Sequence, residues 1–116
     1  MLPIYCITGD VIPRLNQVVQ LPIAALAVEE SKKDFVIEIE EVVRRVGDRL
    51  AVLGNVDAVR FGLRATQAEM ADEVKRQARV GARARGFVVS TGSPFPLDTN
   101  PRLIDTLVTT AHALVA

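Results

Sequence analysis

The sequence predicts an α/β fold of four consecutive βα units with parallel strands, resembling half of a (β/α)8 barrel, and three features carry that prediction. Short apolar runs, each closed by a polar turn, alternate with stretches whose apolar residues recur at helical spacing. The repeat is about 25 to 30 residues, the length of one βα unit. Hydrophobic residues make up 49% of the 116-residue chain and aromatics only 4%, the aliphatic composition of helices packed on a sheet. No linker, tail or low-complexity segment interrupts this alternation, so residues 1–116 read as a single domain.

The first strand is expected over residues 3–7, closed by Thr8-Gly9-Asp10. Residues 11–20 follow with Ile12, Leu15, Val18 and Val19 at helical spacing, Pro13 being compatible only with the first turn. Residues 24–28 form the second strand and deliver Glu29 and Glu30 at its end. Ser31 and Asp34 are competing caps for the next helix, whose apolar face is Phe35, Ile39, Val42, Val43 and Val46, with Gly47 as its C-cap. The third strand lies in residues 50–57, LAVLGNVD, a buried run that breaks at Gly54-Asn55 and presents Asp57. An irregular turn over residues 59–63 precedes Thr66, which forms a capping box with Glu69 and starts a helix carrying Met70, Val74, Gln77 and Ala78 to about Gly81. Residues 86–90, GFVVS, make the fourth strand, with Thr91-Gly92-Ser93-Pro94-Phe95-Pro96 as its exit loop. Asn100 and Pro101 are the N-cap and N1 pair of the last helix, whose apolar positions Leu103, Ile104, Leu107, Val108 and Ala111 run nearly to the end.

Composition excludes several function classes. The 14 basic residues are balanced by 14 acidic ones, so no net field draws nucleic acid or an anionic membrane. Lys75, Arg76, Arg79, Arg83 and Arg85 sit close together, but no aromatics interleave with them, and they read as a solvated helix face. The N-terminal run is broken by Thr8-Gly9-Asp10 and lacks a basic start, so neither a signal peptide nor a membrane span is expected. The single cysteine, Cys6, has no partner for an internal disulfide, which points to a reducing, cytoplasmic compartment.

Right-handed crossovers put every strand's C-terminal end on one side, where four loops converge. That rim supplies the candidate substrate-binding residues Asp10, Glu29, Asn55, Asp57 and Ser93. Asn55 and Asp57 either stiffen their loop by bonding its backbone or contact a ligand directly. Ser93 has no activating base near it in sequence, and the only histidine, His112, reads as a surface or helix-end residue of the last helix. Cys6 is either a small core hydrophobe of the first strand or a metal ligand.

Three motifs carry a family resemblance: Gly54-Asn55-Val56-Asp57 at the end of a strand, a Thr-capped helix from Thr66, and a Gly-rich loop leading to Asp98-Thr99-Asn100-Pro101 at a helix start. In this order and spacing the chain resembles the C-terminal part of the uroporphyrinogen decarboxylase superfamily, which includes zinc-dependent methyltransferases acting between corrinoid proteins and coenzyme M or related acceptors. The resemblance implies a barrel of eight βα units, of which this chain holds the last four, and hence a homodimer in which two halves complete one barrel. It implies chemistry on a tetrapyrrole or a methyl-corrinoid. The positions equivalent to the methyltransferase zinc ligands read Cys6, Thr8 and Ser93, so only Cys6 carries over as a metal ligand, and zinc is implied only on the methyltransferase reading. Ser93 also stands where decarboxylases place a histidine, and their substrate-gripping Arg and Asp groups lie in the missing half. Neither activity is complete in this chain. The alternative is a non-catalytic half-barrel that binds a small ligand or self-associates.

Overall fold

A computed structural model describes residues 1–115 of the chain. Strand β1 (Ile4–Ile7) leads through a 3-10 turn (Ile12–Arg14) into the short helix α1 (Leu15–Val18). Then follow β2 (Ala25–Val28), α2 (Ile39–Val46), β3 (Ala51–Leu53), a π-helical turn (Arg60–Arg64), α3 (Gln67–Gly81), β4 (Phe87–Val88) and α4 (Pro101–Val115). The four strands form one sheet in the order β1-β2-β3-β4, and each neighbouring pair is parallel. Right-handed crossovers in strictly sequential order never reverse direction, so they lay the helices on one face of the sheet. The result is a half-barrel with a helix-covered side and a bare side.

The register assigns each side chain to one of these sides. Tyr5, Leu26, Val52 and Phe87 form one row, and Cys6, Ala27, Leu53 and Val88 the next, pointing the opposite way. Leu26, Val28 and Val52 pack with Val11, Leu15 and Val18 and with Val42, Val43 and Val46 of α2 as the larger core. A second cluster of Val56, Phe61, Met70, Val74 and Leu103 fills the space under α3 and α4. On the bare side Ile4, Cys6 and Val88 are exposed.

Most predicted elements form where their sequence signals lie. Thr66 and Glu69 make both bonds of the capping box, Glu69 N to Thr66 Oγ1 at 3.1 Å and Thr66 N to a Glu69 carboxylate oxygen at 2.7 Å. Asn100 caps α4 by accepting from Arg102 N at 3.0 Å. The π-helical turn occupies the segment expected to be irregular, and a bridge between Val56 and Thr91 carries the β3–β4 pairing past Gly54.

Three local expectations are corrected. The helix of residues 11–20 is reduced to a 3-10 turn plus one turn of α-helix, because Pro13 has no N–H and starts the tighter winding. The second helix begins at Ile39 rather than at Ser31 or Asp34: Ser31 Oγ accepts instead from Ile37 N at 2.9 Å, and Lys32 pairs with Phe35 as a small antiparallel bridge. Gly47 is the C-cap of α2 as expected, in a right-handed conformation, φ −64°, with its N–H bonded to Val43 O. Cys6 is exposed rather than part of the core, because it lies on the outermost strand and faces the bare side.

Candidate functional site at the strand ends

Three loops meet above the C-terminal ends of the strands, and a buried carboxylate ties two of them together. Glu30, 2% exposed, accepts a hydrogen bond from Lys32 Nζ at 2.8 Å, and Ser93 Oγ lies 2.9 Å from each of its carboxylate oxygens and donates to them. Lys32 also donates to Ser93 Oγ at 3.2 Å. A charge this deeply buried is tolerated only when paired and hydrogen-bonded, and this arrangement supplies both. Gly92 makes the approach possible: a Cβ there would overlap the amide nitrogen and carboxylate of Glu30.

The bond from Lys32 to Glu30 holds the ammonium above the ordinary lysine range, outweighing its partial burial. Lys32 therefore stays protonated at neutral pH. It cannot serve as the base that would turn Ser93 into a nucleophile.

Glu29 reaches the other way. Its Oε2 accepts from Gly9 N at 2.8 Å, linking the first loop to the second. Gly9 has φ +82°, a conformation that a side chain disfavours, and this turns its amide toward Glu29. Asn55, 6% exposed, ties the second and third loops: its Nδ2 donates to Glu29 O and to Ile37 O, both at 3.0 Å, and its Oδ1 accepts from Gln77 Nε2 at 3.3 Å. Asp57 Oδ1 accepts from Val59 N and Arg60 N, at 3.0 and 2.9 Å, and so caps the helical turn that follows. Asp10 does the same for Ile12 N at 3.1 Å.

The predicted rim residues thus divide among two recesses and one turn. Glu29 and Ser93, with Cys6, Thr8, Leu53 and Thr91, line a recess of about 410 Å³ on the bare side of the sheet. Asn55 and Asp57 open instead on a recess of about 290 Å³ on the helix side, shared with Glu30, Arg60, Glu73 and Arg76. Asp10 lines neither of these two. Within the second recess, burial alone would raise the Glu73 carboxyl, but hydrogen bonds from Arg76 and Gln77 outweigh it and hold Glu73 below the usual carboxylate range. Arg76 is held high in turn, chiefly by its bond to Glu73 and further by Glu40.

Sequence reasoning missed Lys32, which joins Glu30 and Ser93 from a segment read as helix cap. The available signal was its spacing, two residues from Glu30 in an extended stretch, which puts both side chains on one side. It also missed Gln77 as a polar partner, since Gln77 was read only as one more position on a helix face.

The donor set around Cys6 does not fit zinc. Thr8 and Ser93 offer hydroxyls, Ser93 is bound to Glu30, and among the described residues no three His, Cys, Asp or Glu side chains gather as a metal-binding group. No helix among the described residues is long and apolar enough to cross a membrane.

A model of one protein family, uroporphyrinogen decarboxylase (URO-D), matches residues 2–114. No curated protein matches the chain at a significant level. The match runs through all four βα units and both recesses, and the chain accordingly belongs to the uroporphyrinogen decarboxylase family.

Proposed function

We propose that the recess on the bare side of the sheet binds a tetrapyrrole, and that the chain is a uroporphyrinogen decarboxylase-like half-barrel incomplete for catalysis by itself. The observation that carries this reading is the convergence of Glu29, Ser93, Thr8 and Thr91 around the mouth of the 410 Å³ recess, whose floor is the apolar row of Cys6, Ala27 and Leu53. An apolar floor with a few polar groups at its mouth suits a flat macrocycle with a polar rim. Glu29, whose carboxylate has a second oxygen beyond the one bonded to Gly9, supplies an acceptor for a ring N–H.

The residues at the strand ends divide the work. Glu29 and Ser93 meet the ligand, while Asn55, Asp57 and Asp10 hold the loops through their backbone bonds. Catalysis would need groups that this half does not carry. A methyl-corrinoid is the second ligand class implied by the family resemblance, and binding of one through the recess requires no zinc at Cys6. In a reducing, cytoplasmic setting the exposed Cys6 remains a thiol.

Absorbance titration separates these readings. A carboxylated porphyrin should show a saturable shift of its main absorption band on adding the protein, and methylcobalamin run in parallel reports the corrinoid alternative. Absence of a shift with both ligands refutes ligand binding and leaves a non-catalytic, self-associating half-barrel.

A further inference from the structure

We infer that the helix-side recess binds a basic α-amino acid, whose carboxylate seats on Arg60 and whose cationic groups face Asp57 and Glu38. The recess lies between the exit of β3, the start of α2, the π-helical turn and α3. It shares no lining residue with the bare-side recess.

Its inner wall is polar, buried and paired within itself. Gln77 Nε2 donates to Asn55 Oδ1 at 3.3 Å and to Glu73 Oε1 at 2.8 Å, and Arg76 grips the same Glu73 carboxylate through Nε and Nη2, both at 2.8 Å. Glu30 is held by Lys32. A network satisfied in this way fixes the shape of the recess and leaves none of its own groups in need of a ligand.

The mouth is different. Arg60 forms no ion pair among the described residues, although Asp57 and Glu73 line the same recess; its guanidinium lies over the Phe61 ring instead, 4.9 Å from the centroid. Asp57 bonds the backbone through Oδ1 alone, so Oδ2 stays open. Glu38, exposed where α2 begins, makes no capping bond. One guanidinium and two carboxylates are therefore uncommitted around one opening. The winding that presents Arg60 is itself unusual: Ala65 N bonds Arg60 O at 3.0 Å across five residues, and such π-helical turns are rare and recur at functional sites.

Charge narrows the ligand. Glu30, Glu38, Asp57 and Glu73 line the recess against Arg60 and Arg76, and Lys32 offsets Glu30, so an excess of negative charge remains. A simple anion meets an opposing field, and a simple cation leaves the Arg60 fork without a partner. Two cationic groups and one carboxylate on a single molecule satisfy both conditions. The volume of about 290 Å³ suits an amino acid with a long side chain.

Amide NMR titration of the full chain with L-arginine tests this, with agmatine, which lacks the carboxylate, and L-glutamate, of opposite net charge, run in parallel. L-Arginine should shift amides over residues 57–61 and 73–77 saturably, and both comparison compounds should bind about tenfold more weakly or worse. Arg60→Gln, at an exposed position, should keep the wild-type circular dichroism, weaken L-arginine about tenfold and leave agmatine unweakened. Arg102→Gln, exposed and outside the recess, should change neither. Absence of saturable shifts with L-arginine overturns the inference, as do shifts confined to other residues. Equal affinity for agmatine, or an Arg60→Gln that loses nothing, removes the carboxylate seat and overturns it too. Tighter binding of L-glutamate would assign the recess to anions and likewise contradict it.

Discussion

Replacing Asn55 with alanine should be among the most damaging single changes at the rim, although a polar side chain at the end of a strand looks dispensable for folding. Truncation removes both donors that satisfy Glu29 O and Ile37 O and the acceptor for Gln77 Nε2. Gln77 keeps its bond to Glu73 at 2.8 Å, so its loss is partial. Ile37 O keeps only a long bond from Ser31 Oγ at 3.5 Å and Glu29 O is part-buried, so each carbonyl costs about 1–3 kcal/mol, less where water enters. The sum is about 3–5 kcal/mol, a large part of the roughly 5–15 kcal/mol that stabilises a domain of this kind. Urea unfolding followed by circular dichroism measures it: the midpoint should fall with little change in slope. Asn55→Asp, which points a carboxylate at the same two carbonyls, should be at least as harmful. A loss below about 1 kcal/mol in Asn55→Ala would refute the claim that this amide ties the second and third loops together.

Three further outcomes follow from the same bonds. Thr66→Ala removes one half of the capping box and should cost about 1 kcal/mol by the same urea assay. Gly92→Ala should separate the Glu30–Ser93 contact, and faster amide exchange over residues 29–37 and 91–95 would report it, with unchanged exchange counting against a close-packed lock. The Glu73 carboxyl is lowered from its ordinary value of 4.5, so its contribution to stability is complete above that pH and is lost as the pH falls through the folded-state value. The stability difference between wild type and Glu73→Gln should therefore shrink as the pH drops below 4.5, and a difference independent of pH would contradict the pairing with Arg76.

The elements were legible where a local rule decided them. The apolar run ending at Gly54-Asn55, the Thr66 box and the Asn100-Pro101 start are each set by bonds within a few residues, and each forms as read. Ser31 shows how such a rule fails. Its hydroxyl can cap a helix, but it also fits a loop that returns after six residues to Ile37, and burial of Ile37 favours the loop. Contacts across the rim had no local signal at all: Lys32 and Ser93 lie 61 residues apart, and Asn55 and Gln77 lie 22 apart. The exposure of Cys6 was hidden for a related reason. An apolar strand sequence reads the same whether the sheet continues beyond it or stops there.

Ligand binding in the bare-side recess is the claim on which the functional account depends, and a substitution that fills the recess tests it most directly. Ala27 points into this recess from the middle of the sheet, on the side that no helix covers. Ala27→Phe occupies the floor without entering the helix-side core. Titrating a carboxylated porphyrin with the wild type should give a saturable band shift, and Ala27→Phe of unchanged circular dichroism should give none. A band shift of equal size and affinity in both proteins would place the ligand elsewhere and contradict the account.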